Sequence, residues 1–201
     1  HDKGKTVVCY ISIGTRENWR SDYRDFPSDA VGRRVDGWAG EKWIDVNNLV
    51  VREIMKARIV KAKEMNCDAI EPDNMMVYSE RRTGVSVTKS QQIEYNKWFA
   101  EQVHLEGMQV GLKNAVEIID EFVNFFDFAI NEQCFQYNEC SGYSSFMDQN
   151  KAVFNVEYSH ESSTCVNANS MGIKTIIKDL DLTAKFCSCS DPSVNLDCNL
   201  I

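Results

Sequence analysis

Two acidic residues, Glu71 and Asp73, lie in the stretch Cys67-Asp-Ala-Ile-Glu-Pro-Asp-Asn74. Cys67, Ala69 and Ile70 read as a short buried strand, so both carboxylates fall at its exit. Parallel-strand scaffolds keep their chemistry at such exits. The stretch reads equally as a strand end followed by a polar turn, since Pro, Asp and Asn are all turn formers. Recurrence favours chemistry. Later apolar strands end in Lys113 and Asn114, in Asn131 and Glu132, near Glu157, and in Lys178, Asp179 and Asp181.

Several carboxylates around one cleft, with aromatic residues on nearby loops, fit cleavage of a glycosidic bond. One carboxylic acid protonates the leaving oxygen, and a second carboxylate attacks the sugar or activates water. Neighbouring like charge and partial burial raise the pKa of the acid partner. Tyr10 and Trp38 offer ring faces to a sugar, and Asn and Lys side chains bind hydroxyls. Each residue also has a plainer role. Asp73 suits an Asx turn, Glu132 an ion pair with Lys113 or Lys178, and Trp19, Trp38 and Trp43 a cover over an apolar mouth. The three histidines show no ligand spacing and no GxSxG surrounds Ser12, so neither a metal nor a cofactor is expected.

The elements that must position these residues alternate. Residues 6–13 (TVVCYISI) form a near-continuous apolar run, the mark of a strand covered on both faces. Residues 15–41 read as a long loop, and 41–46 as a weak strand. A helix is expected over 48–65 with Val51, Met55, Ile59 and Ala62 on one stripe, followed by the strand 67–73. Thr88 and Gln91 resemble a capping box that opens a helix to about Leu105. Tyr95, Phe99 and Val103 share one face of it, and Gly107 stops it. Strands follow at 108–113, 126–131, 152–158 and 174–180, with helices at 116–125 and 161–171. Gly4 resembles a helix C-cap, as if a helix ended where this sequence begins.

This order predicts an α/β fold with a parallel sheet. Polar groups at the end of five successive units predict a (β/α)8 TIM-type barrel, 1–201 forming one domain, with its site at the C-terminal face. A doubly wound sheet would gather its ligand groups at one switch point, and no Gly-rich phosphate loop occurs. Seven strand candidates leave the barrel one short, placing the first strand and most of its helix upstream of His1.

Composition narrows the partners. The 201 residues carry a net charge of −8, which argues against nucleic acid and anionic membranes and suits a cationic ligand. Eight cysteines, four of them at 165, 187, 189 and 198, point to disulfides in an oxidising compartment. Zinc is the competitor, but Cys187-Ser-Cys189 lacks the spacing of a zinc knuckle. Cys134 with Cys140 is the favoured local pair. Cys9 and Cys67 are either buried free thiols or a pair.

The motifs VVCYISIGTRENWR (7–20), DGWAGEKWIDV (36–46), CDAIEPDN (67–74), VGLKN (110–114), DFAINEQCFQYNEC (127–140), VFNVEY (153–158) and IKDLDL (177–182) lie in one order along the chain. By them the sequence resembles the endo-α-1,4-polygalactosaminidase family of glycoside hydrolases, a secreted TIM-barrel family. The resemblance implies cleavage of α-1,4-linked galactosamine polymer by two acidic residues, which fall on Asp73 and Glu132. Asp73 would be the nucleophile or water-activating base and Glu132 the acid. Glu71, Glu157, Asp179 and Asp181 would bind ammonium and hydroxyl groups. Asn74, Lys113, Asn114 and Asn131 would orient the substrate or the carboxylates, with Tyr10 and Trp38 against the sugars. The partner would be a cationic galactosamine-containing polysaccharide, met by a secreted monomer. The family's acidic, aromatic-rich first strand precedes the VVCY strand and is not in this sequence, and the Cys-rich end is particular to this chain. The alternative is a non-catalytic carbohydrate-binding or scaffold protein that keeps the barrel; a metal-dependent deacetylase lacks its ligand set.

Overall fold

The computed structural model describes residues 1–159 and 163–190. The chain divides into two compact units, one made of 1–115 with 124–126, the other of 116–123 with the residues from 127 onward.

In the first unit, β1 (Val8–Ser12) pairs in parallel with β5 (Ala69–Asp73), in a register that sets Ser12 beside Asp73. β5 pairs in parallel with β6 (Gln109–Lys113). Between β1 and β5 the chain forms a small antiparallel sheet of β2 (Thr15–Glu17), β3 (Val31–Val35) and β4 (Trp38–Ile44), in the order β2-β4-β3. The expected loop over 15–41 is therefore largely this sheet. The strand expected at 41–46 belongs to it and not to the parallel set. The turn between β3 and β4 is Asp36-Gly37, with Gly37 at φ +82, a backbone conformation that suits glycine and closes hairpins.

Helix α1 (Leu49–Glu64) opens on Asn48, whose side chain accepts from the amides of Val50 and Val51. Its expected stripe of Val51, Met55, Ile59 and Ala62 is buried. Helix α2 (Lys89–Leu105) opens on the Thr88–Gln91 capping box, and Tyr95, Phe99 and Val103 are fully buried. This helix also carries polar groups into the interior. The Tyr95 hydroxyl donates to the Ile13 carbonyl, the Asn96 amide donates to the Met75 carbonyl, and Gln92 donates to Asn96. Two strand-exit turns, after β1 and after β5, are thus pinned by one helix face. Sequence reading covers β1 on both faces, yet Val8 and Tyr10 are exposed. Burial is complete only at its C-terminal end, where Ile11 and Ser12 sit. Gly4, at φ +66, closes a turn onto the His1 carbonyl.

In the second unit, β7 (Phe128–Glu132), β8 (Val153–Glu157) and β9 (Lys174–Ile177) pair in parallel, and β10 (Cys187–Ser188) pairs antiparallel with β9. The short helices α3 (Ser144–Asp148) and α4 (Thr164–Met171) belong to this unit. Residues 116–121 form a kinked 3-10 segment where a helix over 116–125 is expected. Asn114 and Ala115 both have positive φ, which leaves no helical entry. Ile119 and Val123 are buried all the same. The helix expected at 161–171 begins at Thr164; its first two residues lie outside the described ones.

Disulfides join Cys9 to Cys67 and Cys134 to Cys140, as the pairings considered from sequence allow, and also Cys165 to Cys189. Among the described residues no helix is long and apolar enough to cross a membrane.

Candidate active site

Three strand exits share one local device. β5 ends at Asp73 and Asn74 follows at φ +58; β6 ends at Lys113 and Asn114 follows at φ +50; β7 ends at Glu132 and Gln133 follows at φ +65. A left-handed residue bends the chain sharply away, so the last strand side chain stands at the strand's end. Asn tolerates this conformation better than most residues.

In the first unit, Glu71 and Asp73 alternate with buried Pro72 and so share one face of β5. The Tyr10 hydroxyl donates to Asp73 Oδ2 at 2.9 Å. Although the side chain as a whole is exposed, partial desolvation of its hydroxyl and the Asp73 charge push the Tyr10 pKa up, so Tyr10 remains a donor at any working pH. Lys113 Nζ lies 2.6 Å from Glu71 Oε1, and Lys113 is itself buried. Glu71 is therefore neutralised from inside the protein rather than left open to a ligand on all sides. The Asn74 amide donates to Ser12 Oγ. Beneath Asn74, a Cβ on Gly14 would stand 2.0 Å from the Asn74 carbonyl oxygen, so this close approach needs glycine. Structure thus gathers Tyr10, Glu71, Asp73, Asn74 and Lys113.

Trp38 is 60 % exposed. It lines a cavity of about 460 Å³ with Trp43, Asn74, Asp36, Glu80 and four arginines, Arg33, Arg34, Arg81 and Arg82. The surface around this indole is therefore cationic, unlike the carboxylate-lined end of β5.

In the second unit, Glu132 ends β7 and accepts a hydrogen bond from the Tyr158 hydroxyl. Asn131 is buried and donates to the Phe154 carbonyl, and its Oδ1 has no partner among the described residues. Glu157 ends β8 and is 1 % exposed. Its Oε1 accepts from the Phe135 amide and from Asn155, which also donates to Thr175. This carboxylate ties β8 to the 133–139 turn that follows Glu132. Asp179 accepts from both the amide and the hydroxyl of Thr183, and those bonds hold its pKa below the usual carboxylate range. Asp181 is exposed nearby. These two acids belong to a turn at 178–183.

Four residues of these settings escape sequence reading: Ser12, Thr15, Glu41 and Tyr158. Thr15 donates to Glu41 Oε2 at 2.7 Å, and Ser12 shares a hydrogen bond with Thr15. Burial pushes the Glu41 pKa up; the Thr15 hydrogen bond opposes the shift, and the Glu17 and Asp73 charges add to it. The missed signal for Glu41 is the Asp-Gly hairpin, which marks β4 as a strand; the pairing of β4 with β2 then sets Glu41 opposite Glu17.

Parallel strands that end in carboxylates, with helices between them, define an α/β protein of the glycoside-hydrolase type. The chain belongs to glycoside-hydrolase family GH114, whose family model matches residues 1–194. It is a glycoside hydrolase, and the resemblance seen in its motifs is borne out. Its structure is similar to that of Ega3 from Aspergillus fumigatus in complex with galactosamine. The TM-score is 0.88 at 35 % identity, covering 94 % of this chain and 80 % of that one. The glycoside hydrolase domain of PelA from Pseudomonas aeruginosa shares the fold at 14 % identity. Its TM-score is 0.69, over 93 % of this chain and 83 % of that one. No curated protein sequence matches the chain.

Proposed function

We propose that this glycoside hydrolase cleaves α-1,4-linked galactosamine-containing polysaccharide within the chain, using Asp73 and Glu132. The observation that carries the substrate is the 35 % identity, over 94 % of this chain, to a protein in complex with galactosamine. A deacetylated galactosamine polymer is cationic, and a chain of net charge −8 attracts it.

In this reading Glu132 protonates the leaving glycosidic oxygen and Asp73 attacks the sugar or activates water. Tyr158 donates to Glu132 Oε1 and so orients the carboxyl group that meets the leaving oxygen. Tyr10 donates to Asp73 Oδ2 and so orients the carboxylate that meets the sugar carbon. Asn74 and Asn131 hold the backbone around the two acids. Lys113 pairs with Glu71 and holds its carboxylate in place. The three disulfides between described residues support a secreted protein, and we read it as a monomer.

The test is release of oligosaccharides from partly deacetylated α-1,4-galactosamine polymer by the purified chain. Internal cleavage, seen as a rapid fall in polymer length before small products accumulate, is the expected result. Binding of the polymer without any release would overturn the enzymatic reading of this substrate and favour a carbohydrate-binding role.

A further inference from the structure

We infer that Glu41 is a positioning residue for Asp73: it ends a chain of hydrogen bonds that fixes the turn after Asp73, and its ionisation sets how much negative charge Asp73 faces. The inference rests on the catalytic role proposed above for Asp73.

Glu41 is only 6 % exposed, which is unusual for a glutamate. It stands opposite Glu17 across β2 and β4, and Glu17 is 1 % exposed. Two buried carboxylates facing each other are costly unless their charge is compensated. Glu17 is compensated, with Arg20 and Arg58 both within ion-pair range. Glu41 has no ion pair among the described residues; Arg20 acts on it only from a distance. The groups that face it are Glu17 from β2, Asp73 from β5 and Tyr10 from β1, with Arg20 beyond β2 and Thr15 as its one hydrogen-bond donor. Its surroundings therefore favour the neutral acid.

Direction in the hydrogen-bond chain follows from proton counting. Thr15 has one hydroxyl proton and gives it to Glu41 Oε2. Its oxygen then accepts the Ser12 proton, and the Ser12 oxygen accepts from the Asn74 amide. Every donor from Asn74 through Ser12 and Thr15 points toward Glu41, an arrangement in which each bond strengthens the next. Asn74 is the left-handed residue directly after Asp73, so this chain holds the bend that presents Asp73. The link is electrostatic as well. While Glu41 is neutral, Asp73 bears its charge beside two carboxylates already paired, Glu17 with its arginines and Glu71 with Lys113. Once Glu41 ionises, Asp73 faces an uncompensated neighbour.

The experiment measures kcat and KM on the galactosamine polymer across pH for the wild type and four variants. Glu41→Gln keeps an acceptor for Thr15 but cannot ionise. Its alkaline limb should move to higher pH while its rate at the optimum stays within about tenfold of the wild type. Thr15→Val breaks the chain without touching a charge, and should lower kcat by about a hundredfold with little change in KM. Thr15→Ser restores the hydroxyl and should restore most of the rate. A Glu41→Gln profile that superimposes on the wild type, or a Thr15→Val enzyme with full kcat, overturns the inference. Asp73→Asn separates the two levels of the argument. If it is inactive while the Glu41→Gln profile is unmoved, the positioning role alone falls. If it retains activity, the proposed catalytic role of Asp73 falls.

Discussion

Asp73 and Glu132 each close a parallel strand, each precede a left-handed residue and each accept a hydrogen bond from a tyrosine. Their supports are otherwise unlike. Behind Asp73 stands a buried polar frame: Ser12, Thr15 and Glu41, the close approach at Gly14, and Tyr95 and Asn96 reaching from α2. Behind Glu132 stands a turn at 133–139, closed by the Cys134–Cys140 disulfide and by Glu157 bonded to the Phe135 amide. The first support fixes a backbone from several directions through side chains distant in sequence. The second is local, built from residues within one turn and the neighbouring strand. A group that must meet a sugar carbon at a narrow angle gains most from the first kind of support. A proton donor to an oxygen tolerates the second.

The largest effect should come from removing the anchor under the Asp73 frame. Arg58 is 7 % exposed, pairs with Asp22 and Glu17, and donates to the Ser12 carbonyl. Arg58→Ala leaves buried Glu17 with Arg20 alone and strips half-buried Asp22 of its arginine, and should lower stability by about 3 kcal/mol, read from the denaturant midpoint. A smaller loss than that of an ordinary surface pair would show that the frame does not depend on it.

Gly14→Ala should come next. The added methyl meets the Asn74 carbonyl, so the turn must shift, and a displacement of this kind costs about a hundredfold in kcat. A Gly14→Ala enzyme with wild-type kcat would mean that Asp73 does not need its frame.

The tyrosines then sharpen the contrast. Each donates to a carboxyl group, a bond worth about 1.5–3 kcal/mol when the acceptor is charged. Tyr10→Phe should cost about tenfold to a hundredfold in kcat, and Tyr158→Phe less, because in the proposed mechanism Glu132 gives up a proton rather than holding a charge toward the sugar. Equal losses would erase the asymmetry.

The smallest effects are pH dependences of stability, and they run in opposite directions. Burial works against the Asp22 charge, but the hydrogen bond and charge of Arg58 outweigh it and lower the Asp22 pKa. Its stabilising contribution is therefore present above the unfolded carboxylate value, about 4, and is lost as pH falls through the lowered folded value. Glu41 is raised, so its contribution is present below that unfolded value and is lost as pH rises. Asp22→Asn should flatten the acid limb of a melting-temperature profile. Glu41→Gln should raise the melting temperature at neutral pH, with the gain vanishing in acid.

The sequence was most legible where a pattern is local. The α1 stripe, the Thr88 capping box and the strand 67–73 need only their own residues to declare themselves, as does the Cys134–Cys140 pair six residues apart. Strand-exit acids could be named because strands are short and apolar. What the exits are attached to was not legible. The antiparallel sheet at 15–44 is half exposed and lacks a continuous apolar run, so only its Asp36-Gly37 turn marked it. Glu41 only opened a weak strand in the sequence, because what it faces is set by pairing with β2, distant in sequence. Glu157 gave the same strand-exit signal as Glu132, yet its carboxylate is engaged by a backbone amide and Asn155. Asp179 likewise turned out to cap a turn through Thr183. Composition and order do not distinguish an acid facing a ligand from one facing its own backbone.

The most direct test of the division of labour proposed for the two carboxylates compares two substrates. One is the polymer, whose leaving oxygen needs a proton; the other is an aryl galactosaminide whose leaving group departs without one. Glu132→Gln should lose about a hundredfold to ten-thousandfold on the polymer and recover most of its rate on the aryl substrate. Asp73→Asn should lose activity on both. Polymer turnover at the wild-type rate by either folded variant, or recovery by Asp73→Asn instead of Glu132→Gln, would contradict the account.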